Sequence, residues 1–248
     1  MTWLIVLGLV VILGLVLYWQ FILAEGAYLG TSLVALLYDL TAERYNRIKE
    51  FDEVGEDLTL GQPLINRLYN QPGAVVLDVA TGTGRVPLAL LRQPTYYGHI
   101  IALDRASRML AVARRDTANH RDRVSLVQGD AMALPFANNS LPLVACLETL
   151  EFLPNPERGL GQLIRVLQAP SAANIHRGWL VTTNRVGWEA RLMPGKTWTR
   201  QRFNEILSDM PLKQIEVRVW QDIYDLAWAQ KKERSDETGA NCSQSTVD

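Results

Sequence analysis

The chain has 248 residues, 25 basic and 26 acidic side chains, a net charge of −1 and 48% apolar residues. That length suits one large domain, or one domain with an appendage. The composition excludes collagen-like, disordered and disulfide-framework classes. Near-neutral charge argues against a general nucleic-acid-binding surface, and the two cysteines, Cys146 and Cys242, lie too far apart to suggest a metal cluster.

The first elements are apolar. No charged side chain precedes Glu25, and Trp3 to Ala24 is a predominantly apolar, uncharged run of 22 residues. As a helix it spans about 33 Å, the thickness of a hydrocarbon core. Trp3 stands at one end, Tyr18 and Trp19 near the other, where amphipathic rings favour the headgroup level. A cleaved signal peptide needs a basic leader and a shorter apolar core, and a buried core helix is seldom apolar on every face. The segment therefore reads as a single transmembrane anchor over residues 1–25. Arg44, Arg47 and Lys49 follow it, which places the rest of the chain in the cytoplasm.

Residues 26–73 read as amphipathic helices. Leu33, Leu36, Leu37, Leu40 and Arg44 follow helical spacing, for a helix packed on the domain or lying at the membrane interface. An acidic turn, Val54 to Asp57, leads to a helix over about Leu60–Tyr69, stopped by Pro72-Gly73.

From Ala74 strands and helices alternate. Strand-like runs fall at Ala74–Ala80, His99–Asp104, Val124–Gln128, Leu143–Leu147 and Trp179–Thr183, with helices at Arg85–Arg92, Ser107–His120 and Pro156–Leu167. Short, wholly apolar strands suit a parallel sheet covered on both faces, so residues 74–230 predict a doubly wound α/β domain. After a helix near Thr199–Asp209, the runs Leu212–Val219 and Tyr224–Ala229 are joined too closely for a parallel crossover and must pair antiparallel. Residues 231–248 are polar and read as a disordered tail.

The strongest motif is VVLDVATGTGRVPLAL, residues 75–90. A strand ending at Asp78 turns through Ala80, Thr81, Gly82, Thr83 and Gly84 into a helix, whose free N–H groups face a ligand. A nicotinamide dinucleotide is one candidate, but Pro87 occupies the third glycine position, and Asp78 would repel a pyrophosphate while suiting a cationic amine. Asp104 closes the second strand, where a carboxylate accepts ribose hydroxyls. Asp130 and Ala131 follow the third strand, suited to an adenine edge. Leu147 and Glu148 end the fourth, at the mouth of the sheet.

These motifs, with Gly129-Asp130-Ala131, Leu134-Pro135-Phe136 and the block Asn139–Leu150, resemble the class I S-adenosylmethionine-dependent methyltransferases, and most closely the branch that methylates ubiquinone and menaquinone precursors. The resemblance spans about residues 38–230. It implies a seven-stranded Rossmann-like sheet of order 3-2-1-4-5-7-6 with strand 7 antiparallel, in agreement with the closing hairpin. It implies S-adenosyl-L-methionine as cofactor: Asp78, Ala80, Gly82 and Gly84 around its methionine part, Asp104 with Arg105 at the ribose, Asp130 and Ala131 at the adenine, Leu147 or Glu148 near the amine. Tyr38 and Tyr45 would belong to a lid. The implied acceptor is small and, given the anchor, lipophilic: a quinone precursor or a lipid. A NAD(P)-dependent oxidoreductase and a non-catalytic, membrane-tethered scaffold with a methyltransferase-like fold are the alternatives.

The chain departs from the family in a long loop, QAPSAANIHRGW, after Leu167, and in Asn138 to Pro142. No catalytic residue stands out, because methyl transfer from a sulfonium depends chiefly on aligning the reactants. If the acceptor needs deprotonation, Tyr45, Glu148, Glu151 and His176 are the candidates. His99 and His120 read as structural, Cys146 as a core hydrophobe, and Trp198 and Trp220, with Trp188, as packing residues.

Overall fold

The computed structural model describes residues 2–49, 52–170 and 177–232. Two helices lead: α1 (Thr2–Tyr18), which continues in wider turns through Trp19–Leu23, and α2 (Thr31–Lys49). Next come α3 (Glu53–Glu56), a wide turn (Asp57–Gly61) and α4 (Gln62–Arg67). The alternating part is β1 (Val76–Val79), α5 (Arg85–Leu91), β2 (Ile100–Asp104), α6 (Ser107–Asp116), β3 (Val124–Gln128), β4 (Leu143–Cys146), α7 (Pro156–Val166) and β5 (Trp179–Arg185). It closes with α8 (Arg200–Asp209), β6 (Leu212–Trp220) and β7 (Tyr224–Lys231).

The seven strands form one sheet of order β3-β2-β1-β4-β5-β7-β6. The first five are parallel, β7 runs antiparallel to β5, and β6 pairs antiparallel with β7. Every residue of β1 and β4 is buried, which is why those strands read as continuous apolar runs. One face packs α7 and α8 through Leu160, Leu163, Phe203 and Leu207. The other packs α4 and α5 through Leu64, Leu68, Val86 and Leu90. Between β1 and β4 the chain order reverses, and in such sheets ligands bind outside the carboxyl ends of the strands at that point.

Three expectations change. The acidic stretch after residue 52 is helical: Asp52 accepts from Gly55 N at 2.7 Å and caps α3. Lys231 belongs to β7, its ammonium held by the carbonyls of Ile164, Arg165 and Leu167. The rest of the expected tail, from residue 233, lies outside the described residues, as do residues 171–176 of the loop before β5. The helix after β2 is interrupted at Thr117, with a short 3₁₀ turn at Ala118–His120.

Helix α1 has no buried residue. The run Thr2–Leu23 is long and apolar enough to cross a membrane, and it is almost wholly exposed. Its root is fixed to the domain. Trp19 Nε1 donates to the Leu192 carbonyl at 2.9 Å, Gln20 is buried, and Ala24 and Ala27 pack against Phe152 and Met193.

Helix α2 turns a different face inward from the one its leucines suggest. Ala35, Tyr38, Ala42 and Tyr45 pack on Ala106, Met109 and Val112 of the α6 region, while Leu36 and Leu40 are 53% and 66% exposed. Periodicity weighs leucines above alanines, yet here the small residues let the helix approach closely.

Candidate functional site

A cavity of about 140 Å³ opens at the carboxyl ends of β1 to β4 and is roofed by α2. Its floor is the turn after β1. Ala80 has φ 57°, Gly82 φ 55° and Gly84 φ 94°. At Gly84 the left-handed φ favours glycine, while an added Cβ would lie 3.4 Å from the Ala113 Cβ, close to ordinary contact. Glu148, after β4, also has a positive φ of 50°. Left-handed backbone at a non-glycine residue costs about 1–2 kcal/mol, and Ala80 and Glu148 place two such residues at the mouths of neighbouring strands.

Asp78 is 2% exposed and its Oδ2 has no hydrogen-bond partner. Burial pushes its carboxyl up to about 7. An uncompensated buried carboxylate is expensive, and a ligand cation is the group that would satisfy it. Asp104 fixes the floor: Oδ2 accepts from Gly82 N and Oδ1 from Ala106 N, both at 2.8 Å. Asp130 accepts from Met132 N at 2.8 Å and pairs with Arg105 at 2.7 Å. Arg105 also donates to Ser32 of the roof.

Every residue expected at the cofactor site lines this cavity except Gly84, which lies behind the turn: Asp78, Ala80, Thr81, Gly82 and Thr83 from β1, Asp104 and Arg105 from β2, Asp130 and Ala131 from β3, Leu147 and Glu148 from β4. Tyr38 and Tyr45 line it from α2, together with Val34 and Ala35. The donor set fits S-adenosylmethionine: a buried carboxylate for an amine, an anchored carboxylate with spare lone pairs for ribose, and Leu103, Met109 and Ala131 as apolar lining for adenine.

The candidate proton acceptors are less free than their sequence positions suggest. Glu148 is clamped between Arg85 at 2.6 Å and Lys49 at 2.7 Å. Burial alone would raise its carboxyl, but the two cations outweigh burial and hold it below its ordinary range. Burial raises the Tyr45 hydroxyl far above the usual phenol range. Glu151 lies outside the cavity lining, its Oε1 accepting from Tyr224 OH at 2.8 Å; burial pushes it up to about 7. His176 lies outside the described residues. His99 bonds Ser125 Oγ, Trp198 stacks on Phe203, and Trp220 is 5% exposed beneath the Arg85 guanidinium. Trp188 departs from the packing expectation at 61% exposed.

Residues that the sequence did not single out brace the cavity and its roof. Arg85, the first residue of α5, forks onto Glu56 at 2.7 Å through two nitrogens and onto Glu148. Its signal was available: a cation at a helix N-terminus opposes the dipole and needs carboxylates nearby. Asn46 bridges Thr83 of the floor and Asp116 of α6. Asp39 of α2 accepts from Arg108 N at 2.7 Å, capping α6 from the roof. Asn46→Ala should cost about 1 kcal/mol of roof attachment and speed amide hydrogen exchange in α2. Unchanged exchange there would show that Asn46 is no latch.

Comparison with known proteins agrees with this geometry. Residues 76–169 match the family described as "Methyltransferase domain". A demethylmenaquinone methyltransferase of Desulfitobacterium hafniense is 27% identical over 71% of this chain and 76% of its own length. A ubiquinone/menaquinone biosynthesis C-methyltransferase of Roseobacter denitrificans is 30% identical over 53% of each; this chain spans about half the length of several such relatives. Among solved structures, a SAM-dependent methyltransferase of Aquifex aeolicus superposes with TM-score 0.54 at 18% identity, covering 73% of this chain and 99% of that one. The [4+2]-cyclase SpnF superposes with TM-score 0.64 at 17% identity, covering 82% and 97%. Likenesses at this identity establish the fold, and the cyclase illustrates that the fold hosts more than one reaction.

Proposed function

We infer that this chain, a class I S-adenosylmethionine-dependent methyltransferase, methylates a small lipophilic acceptor, a quinone precursor or a lipid, from the surface of a membrane to which α1 anchors it with the catalytic domain in the cytoplasm. The single observation that carries the reading is the conjunction of the two parts: the root of an exposed apolar helix packs on Phe152, and Phe152 lines the cavity.

Bound in the crevice, the cofactor supplies an electrophilic methyl on a sulfonium. The residues act by holding and orienting. Asp78 takes the amine, and the Gly82 turn lets the ligand approach backbone N–H groups. Asp104 takes the ribose hydroxyls, and Asp130 with Ala131 borders the adenine. The roof, through Val34, Tyr38 and Tyr45, excludes water, which matters because alignment in a dry site provides much of the rate in such a transfer. The apolar end formed by Val34, Phe152 and Leu153 is the natural seat of the acceptor ring. Relatives named as demethylmenaquinone methyltransferases support an acceptor of that class.

The test separates chemistry from access. Deleting Thr2 to Leu17 removes the span but keeps Trp19 and Gln20, which the domain uses. With a long-prenyl, unmethylated naphthoquinol embedded in vesicles, this deletion is expected to raise KM many-fold. A short-chain, water-soluble analogue should be methylated at the full-length rate. Equal losses on both acceptors would contradict the reading.

A further inference from the structure

Around the root of α1 lies an apolar surface that the fold leaves uncovered. Leu29, in the turn before α2, is 47% exposed, and the outward stripe of α2 continues the surface with Leu36 at 53% and Leu40 at 66%. On the other side of the root lies the turn after β5, where Trp188 is 61% and Leu192 40% exposed. These two patches are joined through the root itself, since Trp19 bonds the Leu192 carbonyl and Tyr28 OH bonds the Pro194 carbonyl at 2.9 Å. Acidic groups here are neutralised from within. Arg185, nearly buried, pairs with Glu25 at 3.0 Å and Glu189 at 2.6 Å. Exposed Arg44, Arg47 and Arg191 add positive charge nearby.

We propose that this surface, the leucine stripe of α2 together with the Trp188–Leu192 turn, rests in the interfacial layer of the bilayer that α1 enters, so that the roof of the cavity is itself a lipid-contacting element. The occupant is a lipid bilayer because of continuity. A helix apolar on all faces leaves the domain between the two patches, and its root is hydrogen-bonded to one of them. An amphipathic helix lies in such an interface with its apolar face down and cations along the rim. The roof's inner face, through Val34 and Tyr38, lines the cavity, so the same helix contacts lipid on one side and the site on the other. An acceptor dissolved in the bilayer would then pass between α2 and the 188–192 turn without crossing water. The proposal rests on α1 being a membrane anchor, and its test keeps the two apart.

The full chain, with Cys242 replaced by serine and Cys146 left buried, is placed in phospholipid nanodiscs. A nitroxide is attached in turn at Leu36→Cys, Leu192→Cys, Val11→Cys and Asn204→Cys, the last on the exposed face of α8. Collisions with oxygen, which prefers lipid, are compared with those of a water-soluble nickel chelate. Labels at 36 and 192 are expected to show an oxygen-to-nickel ratio several-fold above that at 204, though below that at 11. A lipid-like ratio at 11 with water-like ratios at 36 and 192 overturns the resting surface while leaving the anchor intact, and points to a protein partner for the stripe. A water-like ratio at 11 overturns the anchor, and the proposal with it.

Discussion

Asp78→Asn is expected to remove binding of S-adenosylhomocysteine, the product form of the cofactor, weakening it by on the order of 30-fold or more. Truncating one partner of a buried charge pair typically costs about 2–5 kcal/mol. The carboxylate has no protein partner at Oδ2 and lies at the carboxyl end of β1, which is why it is proposed as the amine's counter-charge. Its pH dependence has a definite sign. With the free carboxyl at about 7, the ionised form that accepts an ammonium is depleted as pH falls. Affinity in the unsubstituted chain should therefore drop as pH is lowered through 7, by up to about tenfold per pH unit. The asparagine variant should show a flat profile. Calorimetric titration between pH 5.5 and 8 reads both. Folding separates the outcomes further. A carboxyl whose folded pKa is raised above its unfolded value contributes stability below the unfolded pKa, and loses it as pH rises through the folded one. At pH 8 the ligand-free variant should thus melt no lower than the parent. A variant that binds normally would remove Asp78 from the site.

Arg85→Met should have the largest effect on stability, about 3–5 kcal/mol, because it leaves two nearly buried carboxylates without their shared cation. Glu56 and Glu148 have side chains 12% and 9% exposed, and the guanidinium also lies 4.5 Å above the Trp220 ring. Arg85→Lys should recover little, since a single ammonium cannot reproduce a fork onto one carboxylate while reaching the other. Adding Glu148→Gln to Arg85→Met should restore part of the loss, whereas adding Glu216→Gln, a carboxylate 54% exposed and paired with Arg67, should restore none. Thermal unfolding of the four variants in detergent decides. Equal melting temperatures for parent and Arg85→Met would show that the network holds nothing.

Much of the fold was legible because the sheet announces itself. VVLDVA and LVACL are too short for helices, too apolar for surface strands, and separated by amphipathic stretches. The three-residue link after Trp220 left the last two strands no choice but to be antiparallel. The site was legible where a residue type is needed by backbone geometry or by charge, as at Gly82, Gly84, Asp78 and Asp104. The roof was harder to read. Helix α2 carries two apolar faces, one of leucines and one of Ala35, Tyr38, Ala42 and Tyr45, and a local pattern does not say which meets the domain. The Asn46 and Arg85 contacts join residues far apart in sequence, and only the packed fold brings them together. The end of the apolar run was hard to read for the same reason. Gln20 and Ala24 read as the tail of a membrane span but are buried against the domain.

The central claim is that the cavity beneath α2 transfers a methyl group to a lipid-soluble acceptor. The full chain in nanodiscs made from bacterial membrane lipids, supplied with S-adenosylmethionine labelled in its methyl group, tests it most directly. Label is expected in a small organic-extractable compound, formed together with S-adenosylhomocysteine and absent with the Asp78→Asn variant. Label confined to water-soluble products or to protein, or binding without any transfer, would contradict it.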